Sequence, residues 1–378
     1  MLEILPQIPR YQAMRRGIGP KLLPLNLVFA VTYRCNSRCQ SCNIWMYTKK
    51  AYRPPPGQVW PYDASQLESR PELTLEEFQR IFASLGRAPF YLTFTGGEPF
   101  LRDDLEEIVI SAYERCRPKV ITIPTSALYW KTIPQRVHAL ARACRESQLI
   151  LNISLDGIGE EHDRIRGVPR NYELALRTLA GLKEDKPANL VIGLHAVISR
   201  LNVHHAGEIV DHLESLGPDS VITEVAEERL EMGNQQSGIT PDPETYARVA
   251  AELSAKTLRR KAKGFARITR AFRAEYYQLA ARALREGKQA LPCYAGVASG
   301  HVAPDGDVWA CCIRAEPIGN LRAVDYDFGT VWRGYLADKM RRSIAAGECA
   351  CPMANAFYTT MVMDPKTLAR VAFRAAFG

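Results

Sequence analysis

The sequence lacks the features that would place the chain in a membrane or in a secretory pathway. No apolar stretch approaches the roughly 18 uncharged residues that a transmembrane helix needs. The first residues, MLEILPQIPRYQAMRRGIG, lack the order of a basic region, an apolar region and a small-residue cleavage site that marks a signal peptide. We therefore predict a cytoplasmic protein.

Signatures of two common enzyme classes are also missing. No glycine-rich turn carries the Gly-Lys-Ser/Thr end of a phosphate-binding loop, and no Ser, His and Asp stand in the pattern of a catalytic triad. The seven histidines add little. His195 lies within a strand pattern, so we interpret it as a core residue whose hydrogen bonds are satisfied.

Cysteine, in contrast, is abundant and clustered. A reducing compartment would not preserve disulfides, so ten cysteines in this chain indicate metal or redox chemistry. Eight of them fall into two groups, three within YRCNSRCQSCNIW (33–45) and five between residues 293 and 351. Cys116 and Cys144 lie alone in apolar helical patterns, which is typical of a small buried side chain.

Strand-like and helix-like segments alternate along the 378 residues, which are enough for one large domain, or for one large and one small. Six runs rich in Val, Ile, Leu and Thr are typical of buried parallel strands: 25–33, 90–96, 119–125, 149–157, 189–199 and 219–226. Helical periods fill the gaps, and one of them begins with Thr74 and Glu77 at the spacing of a capping box. This alternation predicts an α/β fold, an open or partial (β/α)6 barrel with its chemistry at the carboxyl ends of the strands.

The first cysteine group, Cys35, Cys39 and Cys42, directly follows the first predicted strand and so lies at that edge. A structural zinc site usually takes four ligands in a closed tetrahedron, whereas the next cysteine along the chain is Cys116. Three thiolates in a Cys-x-x-x-Cys-x-x-Cys spacing can hold a four-iron cubane and leave one iron open to a ligand. The residues favour an iron-sulfur cluster and leave zinc as the alternative.

This spacing, together with TFTGGEPFL at the end of the second strand, resembles the radical SAM superfamily. The resemblance implies that the open iron binds the amino and carboxylate groups of S-adenosylmethionine (SAM), and that an electron from the 4Fe-4S cluster cleaves SAM to a 5′-deoxyadenosyl radical. Gly96, Gly97, Glu98 and Pro99 match the Gly-Gly-Glu-Pro element of the superfamily. Glycines allow backbone to approach a ligand, and a carboxylate can hold an ammonium group. Taken alone, the same residues also fit a simple turn.

The resemblance implies further cofactor contacts at later strand ends. These expected contacts are Ser126, Ser154, Asp156, Arg166 and Val197. Ser154 and Asp156 are expected on the ribose side, Arg166 near the carboxylate of SAM, and Val197 beside the adenine. Taken singly, Asp156 also fits a plain turn and Arg166 an exposed helix charge.

The second cysteine group begins with CYAGVASGHVAPDGDVWACCIRAEPIGNL (293–321), which predicts a hairpin around its Pro-Asp-Gly-Asp turn. With the later GECACPM, this stretch resembles the SPASM and twitch extensions of radical SAM proteins, which hold auxiliary 4Fe-4S clusters. The resemblance implies one auxiliary cluster, as in the twitch form, with Cys293, Cys311, Cys349 and Cys351 as ligands, and leaves the role of Cys312 open. A zinc site on the same four thiolates is the alternative.

These observations predict five segments along the chain. They are an amphipathic N-terminal extension (1–24), the partial barrel (25–230), a basic helical linker (231–289), a twitch-like auxiliary cluster domain (290–352) and a C-terminal tail helix (353–378). Each range is an expectation from pattern and resemblance.

The basic linker carries an unusual concentration of charge. Between residues 256 and 288, eleven Lys and Arg face two Glu, and this local net charge of +9 exceeds the +8 of the whole chain. The stretch fits a solvated helical face. It also fits a platform for an anion: a flavodoxin- or ferredoxin-type reductase, an anionic substrate, or a membrane surface. The few aromatic residues among these charges argue against nucleic acid.

We therefore predict a radical SAM enzyme that abstracts hydrogen from an unactivated C-H bond of a small-molecule, sugar or lipid-linked substrate. A peptide-modifying enzyme of ribosomal peptide maturation is the alternative. Such relatives often begin with a leader-binding domain, for which residues 1–24 are too few, so we expect the smaller substrate. A rival of another class is a non-catalytic iron-sulfur electron carrier or metal-binding scaffold, which would need no Gly-Gly-Glu-Pro element.

Overall fold

The computed structural model describes residues 2–47, 70–260 and 265–377. Within these ranges, nine strands form one sheet in the order β6-β5-β4-β3-β2-β1-β7-β8-β9. The strands are β1 Asn26–Thr32, β2 Tyr91–Gly96, β3 Val120–Thr125, β4 Gln148–Ser154, β5 Leu190–Ile198, β6 Ser220–Val225, β7 Ser299–Val302, β8 Asp307–Trp309 and β9 Pro317–Asn320. Strands β1 to β6 are all parallel, and the sheet stays open between β6 and β9. The predicted partial barrel is confirmed.

Helices pack against the sheet. The described α-helices are α1 Ile8–Arg15, α2 Leu75–Leu85, α3 Leu105–Cys116, α4 Ile133–Ala143, α5 Glu160–Arg166, α6 Asn171–Lys183, α7 Ala206–Ser215, α8 Pro243–Arg259, α9 Phe265–Glu286, α10 Phe328–Arg333, α11 Tyr335–Ala345, α12 Ala354–Met363 and α13 Pro365–Phe377. Short 3-10 helices span Leu2–Gln7, Ile44–Met46, Pro99–Leu101, Val203–His205 and Leu321–Val324. No helix in the described ranges is both long and apolar enough to cross a membrane.

The two faces of the parallel strands differ in polarity. In β4, Leu149, Leu151 and Ile153 face the helices and are fully buried, whereas Asn152 and Ser154 on the other face are only half-buried. Side chains alternate between the two faces along a strand. The residues on one face form the core, so the residues on the other face are not needed for core packing. The polar residues of β4 therefore line the inner face of the sheet.

Helix α2 shows how local sequence fixes an element. The Thr74 hydroxyl accepts a hydrogen bond from the Glu77 amide at 3.3 Å, and the Glu77 carboxylate accepts one from the Thr74 amide at 2.8 Å. These reciprocal bonds form the predicted capping box, which satisfies two amides at the helix start. The buried Phe78 and Phe82 then pack edge-on against Phe29 of β1.

The hairpin of the second cysteine group joins the barrel sheet directly. Strand β7 pairs in parallel with β1, and β8 pairs antiparallel with β7. The hairpin was predicted, but its pairing with β1 and the third strand β9 were not. A Cβ atom at Gly300 of β7 would lie 2.8 Å from the Trp332 ring, so glycine is what lets α10 pack closely on this strand. The segments predicted as 25–230 and 290–352 therefore share one continuous sheet.

The basic stretch folds into the end of α8 and into α9, and several of its charges have partners within the chain. Lys256 pairs with Asp211 at 2.7 Å, Arg260 pairs with Glu214, and Arg267 donates to the Ala376 carbonyl at 2.9 Å. Arg270 is buried. Much of the local charge is therefore used in packing α8 and α9 against their neighbours.

A buried arginine ties the end of β1 to the segment that precedes α2. Arg102 is about 8% exposed and donates to the Val31 carbonyl at 2.9 Å and the Leu73 carbonyl at 3.0 Å. Its other nitrogens bind both oxygens of Asp104, at 2.8 and 2.7 Å. This one side chain therefore fixes the backbone at the end of β1, the strand that the first cysteine group follows.

We predict that Arg102→Met lowers the free energy of unfolding by about 3 kcal/mol, because two buried carbonyls lose a charged donor and Asp104 loses its partner. Urea denaturation of samples matched for iron content measures the change. Arg87→Met, at an exposed position, is the matched control and should change stability little. Equal stability of the two variants would show that Arg102 is not a structural tie.

Candidate active site

The first cysteine group lies in the loop that leaves the carboxyl end of β1. Cys35, Cys39 and Cys42 are free, half-buried thiols. Burial raises the pKa of Cys35 to about 11 and also raises the pKa values of Cys39 and Cys42, and the charge of Cys39 raises the pKa values of Cys35 and Cys42 further. The three thiols therefore lie where burial disfavours the ionised thiolate form, unless a positive charge nearby stabilises it. The iron ions of a 4Fe-4S cluster would supply that charge, so the loop fits the predicted group.

Backbone hydrogen bonds from α5 hold one side of the cysteine loop. The amides of Arg38 and Gln40 each donate at 2.9 Å to the carbonyls of Arg166 and Ile165, at the end of the helix. Gly167 ends α5 with φ of +64°, and a Cβ atom there would lie 2.3 Å from the Arg38 carbonyl oxygen. Only glycine therefore allows the helix end to lie this close to the loop.

The loop that follows β6, residues 227–234, holds the other side of the cysteine loop. Asn234 donates to the Ser41 carbonyl at 2.8 Å and to the Glu227 carbonyl at 3.1 Å, and accepts from the Arg229 amide at 2.7 Å. The Asn43 amide donates to the Met232 carbonyl at 2.9 Å. Asn234 was not predicted as a site residue. The sequence feature that could have identified Asn234 is its place in the loop after a predicted strand, at the edge where the chemistry was expected.

The Gly-Gly-Glu-Pro element approaches the cysteine loop more closely than any residue with a Cβ atom could. A Cβ atom would lie 2.3 Å from the Thr32 carbonyl oxygen at Gly96, where φ is +130°, and 2.1 Å from the Arg34 carbonyl oxygen at Gly97. The Gly97 amide donates to Thr32 at 2.7 Å and the Glu98 amide to Arg34 at 2.8 Å. The two glycines thus hold the start of the cysteine loop in place.

Glu98 is buried at this edge and held by the strand end next to it. Its carboxylate accepts hydrogen bonds from the Thr125 hydroxyl at 2.8 Å, the Ser126 amide at 2.8 Å and the Ser126 hydroxyl at 2.7 Å. Pro99 follows and opens a short 3-10 helix. The Phe100 amide also donates to the Glu98 carboxylate, at 3.3 Å. The structure thus brings Glu98 and Ser126 together, and four donors orient the carboxylate, two on each oxygen. Its negative charge attracts a cation such as an ammonium group.

Asp156 organises the adjoining strand ends. Its carboxylate accepts from the Val197 amide at 2.8 Å and from Arg166 Nη1 at 3.2 Å. Asn202, a buried residue that was not predicted, donates to the carbonyls of Asp156 at 2.6 Å and Val197 at 2.9 Å. Arg166 Nε is buried and has no hydrogen-bond partner among the described residues. A free guanidinium donor beside the cysteine loop is suited to a carboxylate ligand.

Ser154, the remaining predicted cofactor contact, lies on the inner face of β4 opposite His195 of β5. His195 differs from the expectation of a satisfied core residue. Its Nε2 atom has no hydrogen-bond partner in the described chain and lies 3.6 Å from the Glu224 carboxylate, longer than a hydrogen bond. The strand pattern that predicted burial could not distinguish the apolar face from the inner face.

The second cysteine group forms a separate site. Cys293, Cys311, Cys349 and Cys351 are half-buried free thiols. Burial raises the pKa of Cys311 to about 12, and the charges of Cys293 and Cys349 raise it further, while Cys351 feels Cys293 and Cys311. The structure therefore brings the four predicted auxiliary ligands into one neighbourhood.

Cys312 makes side-chain contacts of its own with Met353 and Arg229. Its Sγ atom lies 3.1 Å from Met353 Sδ and 3.8 Å from Arg229 Nη1, and the side chain is buried. The Glu231 amide donates to the Cys312 carbonyl at 3.4 Å. The loop after β6 therefore contacts both cysteine groups, at Ser41 on one side and at Cys312 on the other.

The thiols of both groups are spaced more widely than the ligands of a single ion. Within the described ranges, no three His, Cys, Asp or Glu side chains converge on one metal ion. Thiolates that hold a cubane bind different iron atoms and need not converge on one point. The arrangement is compatible with the predicted clusters.

Comparison with known proteins agrees with this geometry. The model of the radical SAM superfamily matches residues 29–213. Fe-coproporphyrin III synthase of Methanosarcina barkeri is 31% identical over 217 residues, which are 53% of this chain and 47% of the synthase. The chain thus spans about half the length of such curated relatives. Mycofactocin maturase MftC of Mycolicibacterium smegmatis is 25% identical over 375 residues, 94% of this chain and 84% of the maturase.

Solved structures share the fold over nearly the whole chain. Streptococcus suis SuiB bound to SAM has a TM-score of 0.59 and 17% identity, covering 90% of this chain and 73% of SuiB. The structure of anSMEcpe with bound SAM has a TM-score of 0.58 and 13% identity, covering 93% of this chain and 99% of anSMEcpe. With the family match over residues 29–213 and this likeness of fold beyond it, the chain contains a domain of the radical SAM superfamily, whose members use a 4Fe-4S cluster and SAM, and its C-terminal region shares the fold of these solved structures.

Proposed function

We propose that this chain is a radical SAM enzyme that modifies a peptide. When bound, a 4Fe-4S cluster and SAM supply a one-electron cleavage whose 5′-deoxyadenosyl radical can take hydrogen from an unactivated C-H bond. Cys35, Cys39 and Cys42 would hold that cluster. Cys293, Cys311, Cys349 and Cys351 would hold a second, auxiliary 4Fe-4S cluster.

The residues around the first cysteine group would orient SAM. Glu98, fixed by Thr125 and Ser126, would supply the negative charge beside the ammonium group. The free Nε donor of Arg166 is suited to the carboxylate. The Asp156 bridge to the Val197 amide fixes the strand ends proposed for the ribose and adenine. Holding both ends of SAM limits where its reactive carbon can lie, and this restriction is what selects one C-H bond.

One observation carries the peptide assignment: the match to MftC, named a maturase, extends over 94% of this chain and includes the C-terminal region. Two neighbouring structures are described with peptides, SuiB with a precursor peptide and anSMEcpe with a bound peptide. The barrel is common to many substrates, so the C-terminal region is the more informative half. These comparisons favour the peptide alternative over the smaller substrate expected from the sequence.

A small-molecule substrate is the second candidate function. It is favoured by the 31% identity to Fe-coproporphyrin III synthase and the 37% identity to a GTP 3′,8-cyclase of Aquifex aeolicus. Those matches cover 53% and 32% of this chain, whereas the maturase match covers 94%. Each of these two matches therefore covers a smaller part of this chain than the maturase match does.

Reductive cleavage requires one electron, so we propose a flavodoxin- or ferredoxin-type donor acting in the cytoplasm, where thiolates stay reduced. The basic stretch does not carry this proposal, because Lys256, Arg260 and Arg267 have partners within the chain and Arg270 is buried. An anionic substrate or membrane surface lacks support there for the same reason.

The first prediction concerns SAM cleavage. Anaerobically reconstituted protein with dithionite should convert SAM to 5′-deoxyadenosine and methionine, as measured by chromatography. Changing Cys35, Cys39 and Cys42 together to Ala should abolish this activity, because no thiolate remains to hold the cluster. Changing Cys116 and Cys144 to Ala is the control. Both are buried and belong to neither cysteine group, so this variant should still cleave SAM. Persistent cleavage by the triple variant would refute the assignment.

The second prediction concerns the auxiliary ligands. Reconstituted protein should contain about eight irons per chain, and Cys311→Ala should lower the count towards about four. The adjacent Cys312→Ala should retain about eight, since Cys312 faces Met353 and Arg229 instead. Colorimetric iron analysis with Mössbauer spectroscopy distinguishes the outcomes. Full iron in Cys311→Ala, or a loss only in Cys312→Ala, would contradict the ligand set.

The third prediction separates the two candidate substrates. A cell extract is divided by ultrafiltration into a peptide fraction and a small-molecule fraction, and each is added to the enzyme with dithionite and SAM. The peptide fraction should increase 5′-deoxyadenosine formation several-fold, and prior protease treatment of that fraction should remove the increase. Stimulation by the small-molecule fraction alone would favour the second candidate function.

A further inference from the structure

The inner face of the barrel strands carries a group of polar side chains that the cofactor assignment does not use. This group consists of Asn152 of β4, His195 of β5 and Glu224 of β6, which lie on the same face of three neighbouring strands. The side chains of His195 and Glu224 are 17% and 26% exposed, so both are reachable within the barrel. They are neither core residues nor surface charges.

The hydrogen-bonding capacity of this group is unfilled. His195 Nε2 lies 3.6 Å from Glu224 Oε1, beyond hydrogen-bond distance, and has no other partner in the described chain. Asn152 Oδ1 is buried and likewise has no partner there. A Cβ atom at Gly193 would lie 2.1 Å from Asn152 Oδ1, so Gly193 leaves the amide the space it occupies. Such unfilled buried polar groups are costly unless a ligand completes them.

The strand register puts this group next to the proposed cofactor residues. His195 is directly opposite Ser154, and Glu224 is directly opposite Val197. Because residues paired across parallel strands lie about 5 Å apart, the polar group is an immediate neighbour of the ribose and adenine positions. A molecule that contacted it would lie beside SAM.

The charge of the inner face is acceptor-rich. Among the inner positions of β1 to β6, Glu224 is the one carboxylate, and none is Lys or Arg. On the same face, the hydroxyl groups of Tyr91 and Thr122 are hydrogen-bonded to each other at 2.6 Å. Asn152 Oδ1 and His195 Nε2 therefore lack a hydrogen bond, and Glu224 has only its 3.6 Å ion-pair contact with His195. A carboxylate with an amide oxygen near it suits a cation that donates several hydrogen bonds.

We infer that Glu224, Asn152 and His195 form a recognition site for an ammonium or guanidinium side chain of the substrate. This inference rests on the proposed peptide function and names the class of residue presented to the radical. Glu224 supplies the countercharge, Asn152 accepts a second hydrogen bond, and His195 completes the wall on the other side. A neutral or anionic side chain would leave the Glu224 carboxylate with only its 3.6 Å contact to His195.

Binding of short peptides tests this site without requiring turnover. The probes are acetylated and amidated pentapeptides Gly-Gly-Xaa-Gly-Gly with Lys, norleucine or Glu at Xaa. Calorimetry with reconstituted, SAM-loaded enzyme should show the Lys peptide binding about tenfold more tightly than the norleucine peptide, as expected for a charge-assisted contact. The Glu peptide should bind most weakly. Glu224→Gln should remove the preference for Lys, whereas Glu224→Asp should keep part of it.

Glu208→Gln on the exposed side of α7 removes the same charge outside the barrel and should leave the preference unchanged. Circular dichroism and iron content confirm that each variant is folded and loaded. Equal binding of the Lys and norleucine peptides, no peptide binding at all, or an unchanged preference in Glu224→Gln would overturn the inference. SAM cleavage without peptide is measured in parallel. Its loss would refute the proposed function, whereas intact cleavage without a Lys preference would refute this site alone.

Discussion

The position of the first cysteine loop is the constraint on which the rest of the site depends. Backbone hydrogen bonds hold this loop from three sides: from Gly97 and Glu98 after β2, from the end of α5, and from the loop after β6. Backbone bonds depend little on side-chain identity, but they require the main chains to approach closely. The absence of a Cβ atom at Gly96, Gly97 and Gly167 makes that approach possible. Three buried thiols can therefore be presented together although burial opposes their ionisation.

The same loop after β6 connects the two cysteine groups. Asn234 bonds to Ser41 before Cys42, while Glu231 bonds to the backbone of Cys312 beside Cys311. The pairing of β7 with β1 adds a second link, because the first cysteine loop and the hairpin start from neighbouring strands. Strands are stiff along their length, so two links of this kind fix the separation of the two groups. The C-terminal region is therefore joined to the barrel through both the sheet and the loop after β6.

The sequence predicted what local patterns encode. The six parallel strands and the Thr74–Glu77 capping box are confirmed, because propensity and spacing act over a few residues. The two cysteine groups as cluster ligands stay a prediction. The pairing of β7 with β1 was missed because Asn26 and Ser299 meet only in the fold. The internal partners of Lys256 and Arg260 were missed for the same reason, so the local excess of charge suggested a more open surface than the structure has.

The polar group of the inner face shows why the reaction class is easier to predict than the substrate. The cofactor side is built from strand ends and turns, where glycines and spaced cysteines leave a recognisable pattern. The inner face is built from single residues on separate strands, such as Asn152, His195 and Glu224, which no motif links. Their helix-facing neighbours Leu151, Leu194 and Val225 supply the core instead. Inner residues can therefore change without loss of the fold, so that one barrel can present the same radical to different substrates.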